Sequence, residues 1–162
     1  MIAMDISPTR LALARHNAAI YGVADRIEFV LCDYLDFART YAKLPTHRRS
    51  IDVVFLSPPW GGPDYISRPS SPTKLKGADE ESHSEFSLSS VKPIPGDELF
   101  RLSTGISKNL AYYLPRNVNL AEVAALAAPG EKVELEEAWM SDKLKAVTCY
   151  FGGLAIGQEQ LF

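Results

Sequence analysis

The chain has 162 residues, enough to bury one hydrophobic core, with 46% apolar and 23% charged residues, the balance of a folded globular protein. No run of about 18 apolar residues is present to cross a bilayer, and the start, Met1-Ile-Ala-Met-Asp5, lacks the basic-then-apolar order of a signal peptide, so neither is expected. A net charge of −3 argues against a broad basic patch that grips a long nucleic acid, though not against a capped end or nucleotide held by one or two arginines.

In chain order, residues 1–4 read as a buried strand ended by Asp5. A helix is predicted over 7–20, with Ser7 as N-cap, Pro8 at the first helical position, and Leu11, Ala14 and Ala18, with Leu13 on a neighbouring row, as its apolar face. Gly22 stops it. Residues 27–32 are a second strand ending at Asp33, 34–43 are weakly helical, and 51–56 are a third strand. The near-continuous apolar run 51–56 suits a parallel sheet covered on both faces. A Pro/Gly-rich loop fills 57–65.

Between 67 and 96 Ser, Pro, Lys and Glu dominate, and 67–84 is expected to be a disordered insertion. A helix over 97–108, a strand over 110–114, a helix over 119–128 ended by Pro129-Gly130, and strands over 131–138 and 144–151 complete the reading. This alternation predicts an α/β doubly wound fold. Cys32 and Cys149 sit in apolar runs without metal-ligand spacing, so both are expected to be reduced, buried thiols of an intracellular protein, and no metal is expected.

Three polar features follow predicted parallel strands, at the sheet edge where such folds bind ligands: Asp5, Asp33 and Ser57-Pro58-Pro59-Trp60. Asp5 is placed either to accept hydrogen bonds from a ribose diol or to cap the next helix. Asp33 either accepts from an adenine amino group or is a turn residue. The Ser-Pro-Pro-Trp loop is more specific. Two successive prolines fix the backbone and remove two donors, so carbonyls and a ring are presented rigidly. Methylating an exocyclic amine needs acceptors that aim its lone pair, here the Ser57 hydroxyl or a carbonyl near Pro58. It also needs a platform for the base, here Trp60. A tryptophan plugging the core is the alternative.

The nine residues Ser57-Pro-Pro-Trp-Gly-Gly-Pro-Asp-Tyr65 resemble the signature loop of the RNA cap guanine-N2 methyltransferases, the trimethylguanosine synthase family. They are also a variant of the Pro-Pro-aromatic motif of amino methyltransferases generally. Ala3-Met-Asp-Ile-Ser-Pro8, Ala12–Ala18, Phe100–Ser103, Tyr113-Leu-Pro-Arg-Asn117, Lys143-Leu-Lys145 and Tyr150-Phe-Gly152 resemble the same family. The resemblance implies a Rossmann-like S-adenosylmethionine-dependent methyltransferase with helices on both sheet faces, forming one domain over 1–162. It acts on the 2-amino group of 7-methylguanosine-capped small nuclear and nucleolar RNAs, in the nucleus (nucleolus or related bodies) and also in the cytoplasm. Carried over, Ser57, Pro58, Pro59 and Trp60 are catalytic. Asp5, Asp33 and Ser57 bind S-adenosyl-L-methionine. Trp60 stacks on the 7-methylguanine, and Arg116 with Asn117 meets the cap, Arg116 at its triphosphate. The family's first strand and glycine loop would precede residue 1, so the chain is expected to be N-terminally incomplete. Two other readings stand beside this one: another nucleobase or protein amino-methyltransferase, and an inactive cap-binding remnant.

Overall fold

The computed structural model describes residues 1–60 and 85–155, divided between two units, Met1–Ser50 and Ile51–Phe162. The predicted insertion at 67–84 lies outside the described residues.

The first unit contains β1 (Ile2–Asp5), α1 (Pro8–Ile20), β2 (Glu28–Leu31) and α2 (Tyr34–Tyr41). β1 and β2 pair in parallel from Ile2↔Glu28 to Asp5↔Leu31, the helix between them serving as the crossover. At the start of α1 the Arg10 N–H donates to Ser7 Oγ at 3.4 Å, with Pro8 at the first helical position. At its end Gly22 takes φ +68, and the Gly22 and Val23 N–H groups donate back to the Ala19 and Ala18 carbonyls at 3.1 and 2.9 Å. Only a left-handed residue closes both bonds cheaply, which is why glycine ends this helix. The predicted apolar face is narrower than expected. Ala18 is buried and Leu11 half-buried, but Leu13 is 58% exposed, because a sheet of two short strands covers only one stripe of the helix. In α2, Ala38 and Tyr41 are buried, Phe37 stacks on Tyr41 at 5.5 Å, and the Tyr41 hydroxyl accepts the Ser50 N–H at 2.6 Å.

The second unit contains β3 (Val53–Leu56), α3 (Gly96–Thr104), β4 (Asn109–Pro115), α4 (Leu120–Ala124), β5 (Glu134–Met140) and β6 (Lys143–Phe151). Its sheet runs β3-β4-β6-β5, with β3 parallel to β4 and the β5–β6 hairpin antiparallel. The register puts Val54, Leu56, Leu110, Tyr112, Leu114, Val147, Cys149 and Phe151 on one face, all buried. α3 covers it with Leu99 and Phe100, and Phe100 meets Phe151 edge to face at 4.6 Å. The buried Ser103 satisfies its hydroxyl on the Leu99 carbonyl at 2.7 Å, and the Tyr112 hydroxyl donates to the Gly96 carbonyl at 3.3 Å. Burying Tyr112 raises its phenol above the usual range. The β5 edge carries Glu134, Glu136 and Glu137, charges that discourage another strand from adding there.

Two expectations are corrected here. β3 alternates buried and exposed, with Val53 46% and Phe55 62% exposed, so the run is covered on one face of the unit rather than two. The helix predicted over 119–128 stops at Ala124. Beyond it the Leu126 and Ala127 N–H groups bond three residues back, to Val123 and Ala124, which tightens the alanine run into turns. Among the described residues, no helix is long and apolar enough to cross a membrane.

Both cysteines are free thiols, but Cys32, just past the end of β2, is only partly buried, whereas Cys149, on the covered face of β6, is fully buried. Burial pushes the Cys149 thiol up to about 12, so native protein at pH 8 is expected to be alkylated at Cys32 and spared at Cys149. Cys149 ionises near 9 once unfolded and only near 12 when folded, so its contribution to stability is intact below pH 9 and falls between 9 and 12. Denaturant titrations across that range, with Cys149→Ala as reference, check the sign. Equal alkylation of both native thiols would contradict the burial argument.

Candidate active site

Parallel pairing of β3 and β4 brings their carboxyl ends to one edge of the sheet. Ser57–Trp60 leaves β3 there and Arg116-Asn117 leaves β4. The Trp60 indole N–H donates to the Tyr113 carbonyl at 3.2 Å, and its ring lies 5.0 Å from the Tyr113 ring, tilted by 38°. Tyr113 in turn stands 6.4 Å from Phe55. Trp60 is therefore a half-buried ring held by β4 and not a plug in the core, which lies on the other sheet face. Pro58 and Pro59 stiffen the short span between β3 and that anchor. Ser57 and Pro59 are exposed, and Pro58 is half-buried.

Arg116 is exposed at the turn after β4. Its Nη1 donates to the Leu144 carbonyl at 3.5 Å, and among the described residues no carboxylate pairs with it. The pairing Pro115↔Ala146 sets Lys145 beside this turn, with Lys143 at the start of the same strand, so the corner is cationic. The half-buried Asn117 accepts the Phe86 N–H on its carbonyl at 2.7 Å.

In the first unit, Asp5 and Asp33 follow one another across the carboxyl end of the parallel pair. Asp5 Oδ1 accepts the Ser7 N–H at 2.7 Å, and Oδ2 stands 3.8 Å from Arg10 Nη1. Asp33 caps α2, its Oδ1 accepting the Leu35 N–H at 2.7 Å. α1 is capped by Ser7, with Asp5 bracing the loop ahead of it, and Asp33, read from the sequence as a turn residue, is the N-cap of α2. Each carboxylate spends one oxygen on a short bond, which is compatible with a ligand on the other. Among the described residues no group of three His, Cys, Asp or Glu could hold a metal ion.

Sequence reasoning missed Tyr113, which supplies both the carbonyl and the ring behind Trp60, although an aromatic at the end of a strand was a signal in view. It also missed the segment 85–91, which the polar composition around it disguised.

The model of the RNA cap guanine-N2 methyltransferase family matches residues 1–154. Trimethylguanosine synthase of Schizosaccharomyces pombe is 33% identical over 152 residues, 93% of this chain and 56% of the relative. Trimethylguanosine synthase of Saccharomyces cerevisiae is 26% identical over 153 residues, 92% of this chain and 43% of the relative. Release factor glutamine methyltransferase of Cereibacter sphaeroides is 36% identical over 66 residues, 41% of this chain and 20% of the relative. The chain therefore spans about half the length of the two trimethylguanosine synthases it matches. With the family model covering nearly all of it, and the Ser-Pro-Pro-Trp loop fixed at the carboxyl edge of a parallel strand pair, the chain belongs to the RNA cap guanine-N2 methyltransferase family.

Proposed function

We propose that this protein transfers methyl groups from S-adenosyl-L-methionine to the 2-amino group of a 7-methylguanosine RNA cap, giving trimethylguanosine. The observation that carries the reading is Trp60, half-exposed on a two-proline loop and tied to β4 through Tyr113. Such a ring offers a stacking surface whose angle is set before the substrate arrives. The Ser57 hydroxyl and the Pro58 carbonyl then accept the hydrogens of the amine and turn its lone pair outward. No base is needed before attack: the new carbon–nitrogen bond would form as the methyl–sulfur bond breaks, leaving a neutral thioether, and the alkylated amine would then give its proton to water. The contribution of the protein is mostly orientation. Bound S-adenosyl-L-methionine supplies an electrophilic methyl group on its sulfonium. Asp5 would hold its ribose and Asp33 would lie near its adenine, roles their chemistry fits because each carboxylate spends only one oxygen on a short bond to a backbone amide. Arg116 and Asn117 meet the cap, with Arg116 at the triphosphate. The domain is read as one methyltransferase domain over 1–162 with an insertion near 67–84. The substrates are small nuclear and nucleolar RNAs, and the place of action is the nucleus.

The similarity to a release factor glutamine methyltransferase over 66 residues favours one competing reading, a different amine or amide as acceptor. The protein, expressed from its gene, is given labelled S-adenosyl-L-methionine with 7-methylguanosine-capped RNA, adenosine-initiated uncapped RNA and a glutamine peptide. Label is expected on the cap alone. Label on the adenosine or the peptide would replace the cap reading, and cap binding without transfer would make the protein an inactive remnant.

A further inference from the structure

The turn that carries Arg116 and Asn117 is gripped from outside the sheet. Phe86 bridges Val118 in parallel, its N–H donating to the Asn117 carbonyl at 2.7 Å while its carbonyl accepts the Asn119 N–H at 2.9 Å. The Glu85 carboxylate accepts from Asn119 Nδ2 at 2.7 Å. Phe86, Leu88, Val91, Val118 and Val123 are all buried along this seam.

One residue here departs from ordinary helix-cap chemistry. Asn119 is the N-cap of α4 and Glu122 its third helical residue, the spacing of a capping box. Half of the box is made, since Asn119 Oδ1 accepts the Glu122 N–H at 3.0 Å. The other half would send the Glu122 carboxylate back to the Asn119 N–H. Phe86 already takes that N–H, and Glu122 Oε2 instead accepts the Leu88 N–H at 2.6 Å. A short, partly buried bond from a backbone amide to a carboxylate is charge-assisted and strongly directional. The carboxylate is thus diverted from its own helix to a strap that crosses the substrate-facing turn.

We propose that Glu122 is a positioning residue: through Leu88 it holds the 85–91 strap across residues 115–119, so that Arg116 leaves β4 in one fixed direction. The proposal rests on the reading of Arg116 as the contact to the cap triphosphate. Among the described residues the Arg116 side chain makes one long bond, to Leu144, so its aim depends on how firmly its backbone is held. A cap merely stabilising α4 would have no reason to reach a segment 34 residues away.

The test uses the protein expressed from its gene, with a triphosphate-bearing 7-methylguanosine cap analogue and the bare nucleoside. Glu122→Ala is expected to raise KM for the triphosphate cap about tenfold, inside the roughly hundredfold loss an ångström of misplacement can cause. kcat should stay within about twofold and nucleoside affinity should not change, since the Trp60 indole is anchored on Tyr113 of β4. Glu122→Gln keeps an acceptor oxygen at the same reach and should recover most of the loss. Glu122→Asp keeps the charge but falls short of the Leu88 amide and should not. If Glu122→Ala fails to fold, the Gln and Asp pair decides. Unchanged KM in Glu122→Ala or Glu122→Asp, or equal weakening of nucleoside and triphosphate, overturns the positioning role. Arg116→Ala in the same assay separates the two ideas. If it does not discriminate the triphosphate, the phosphate assignment of Arg116 fails and the positioning role with it; if it does and the Glu122 variants do not, only the positioning role fails.

Discussion

Replacing Trp60 with alanine is expected to weaken binding of 7-methylguanosine by roughly ten- to a hundredfold while the protein stays folded. Base–aromatic stacking is worth about 1–3 kcal/mol per base, and tenfold in affinity corresponds to about 1.4 kcal/mol. The positive charge of an N7-methylated purine over an indole adds attraction that an unmethylated guanosine lacks. Discrimination between the two nucleosides should therefore shrink along with affinity. The fold should survive because Trp60 is half-exposed and the Tyr113 ring it packs on lies on the sheet face opposite the core of Leu110, Tyr112 and Leu114. Trp60→Phe separates two contributions: it keeps a ring but removes the N–H that meets the Tyr113 carbonyl, and an intermediate loss is expected. Calorimetric titration with each nucleoside, beside a thermal melt, reads all of this. A variant whose folded fraction binds 7-methylguanosine as the parent does would make Trp60 a packing residue.

The second large effect is expected at Arg116. Arg116→Ala should weaken a triphosphate-bearing cap about ten- to a hundredfold, from the roughly 1.5–3 kcal/mol of a hydrogen bond to a charged partner, and leave the bare nucleoside nearly unchanged. A planar guanidinium matches phosphate oxygens in pairs, so Arg116→Lys should restore the charge but only part of the affinity. The site is exposed, and added salt should narrow the gap between parent and variant. Among the described residues the guanidinium meets the Leu144 carbonyl at 3.5 Å and no carboxylate, which weakens the competing explanation of a structural salt bridge. Equal loss of nucleoside and triphosphate cap would make that bond structural and end the phosphate assignment.

Much of the fold was legible because its signals are local. Ser7 and Pro8 start α1, Gly22 ends it, and the apolar runs before Asp5, Asp33 and Ser57 are strands. Local signals also misled. The alanines after Val123 favour helix by propensity but bury almost nothing, so no packing holds a helix together there, and α4 is short. The two aspartates could be placed but not assigned, because a cap and a ligand ask the same thing of a carboxylate. The loop at Ser57–Trp60 was readable from two prolines and a tryptophan. What anchors it was not, since Tyr113 is 53 residues further on. The strap at 85–91 was the least legible element: its bonds run mostly through backbone groups, which every sequence possesses.

β4 sits inside its sheet, bonded to β3 on one side and β6 on the other, and can neither stretch nor slide. The indole is fastened at Tyr113 of this strand and the guanidinium springs from Arg116, three positions later. At about 3.3 Å per residue the two attachment points stand roughly 10 Å apart along the strand. They form a gauge with stops of unlike character, flat and greasy at one end, cationic at the other. On the roles proposed for Trp60 and Arg116, such a gauge is expected to sort ligands by the distance between ring and charge: a cap whose phosphate bridge is one group short would seat its base and miss the far stop.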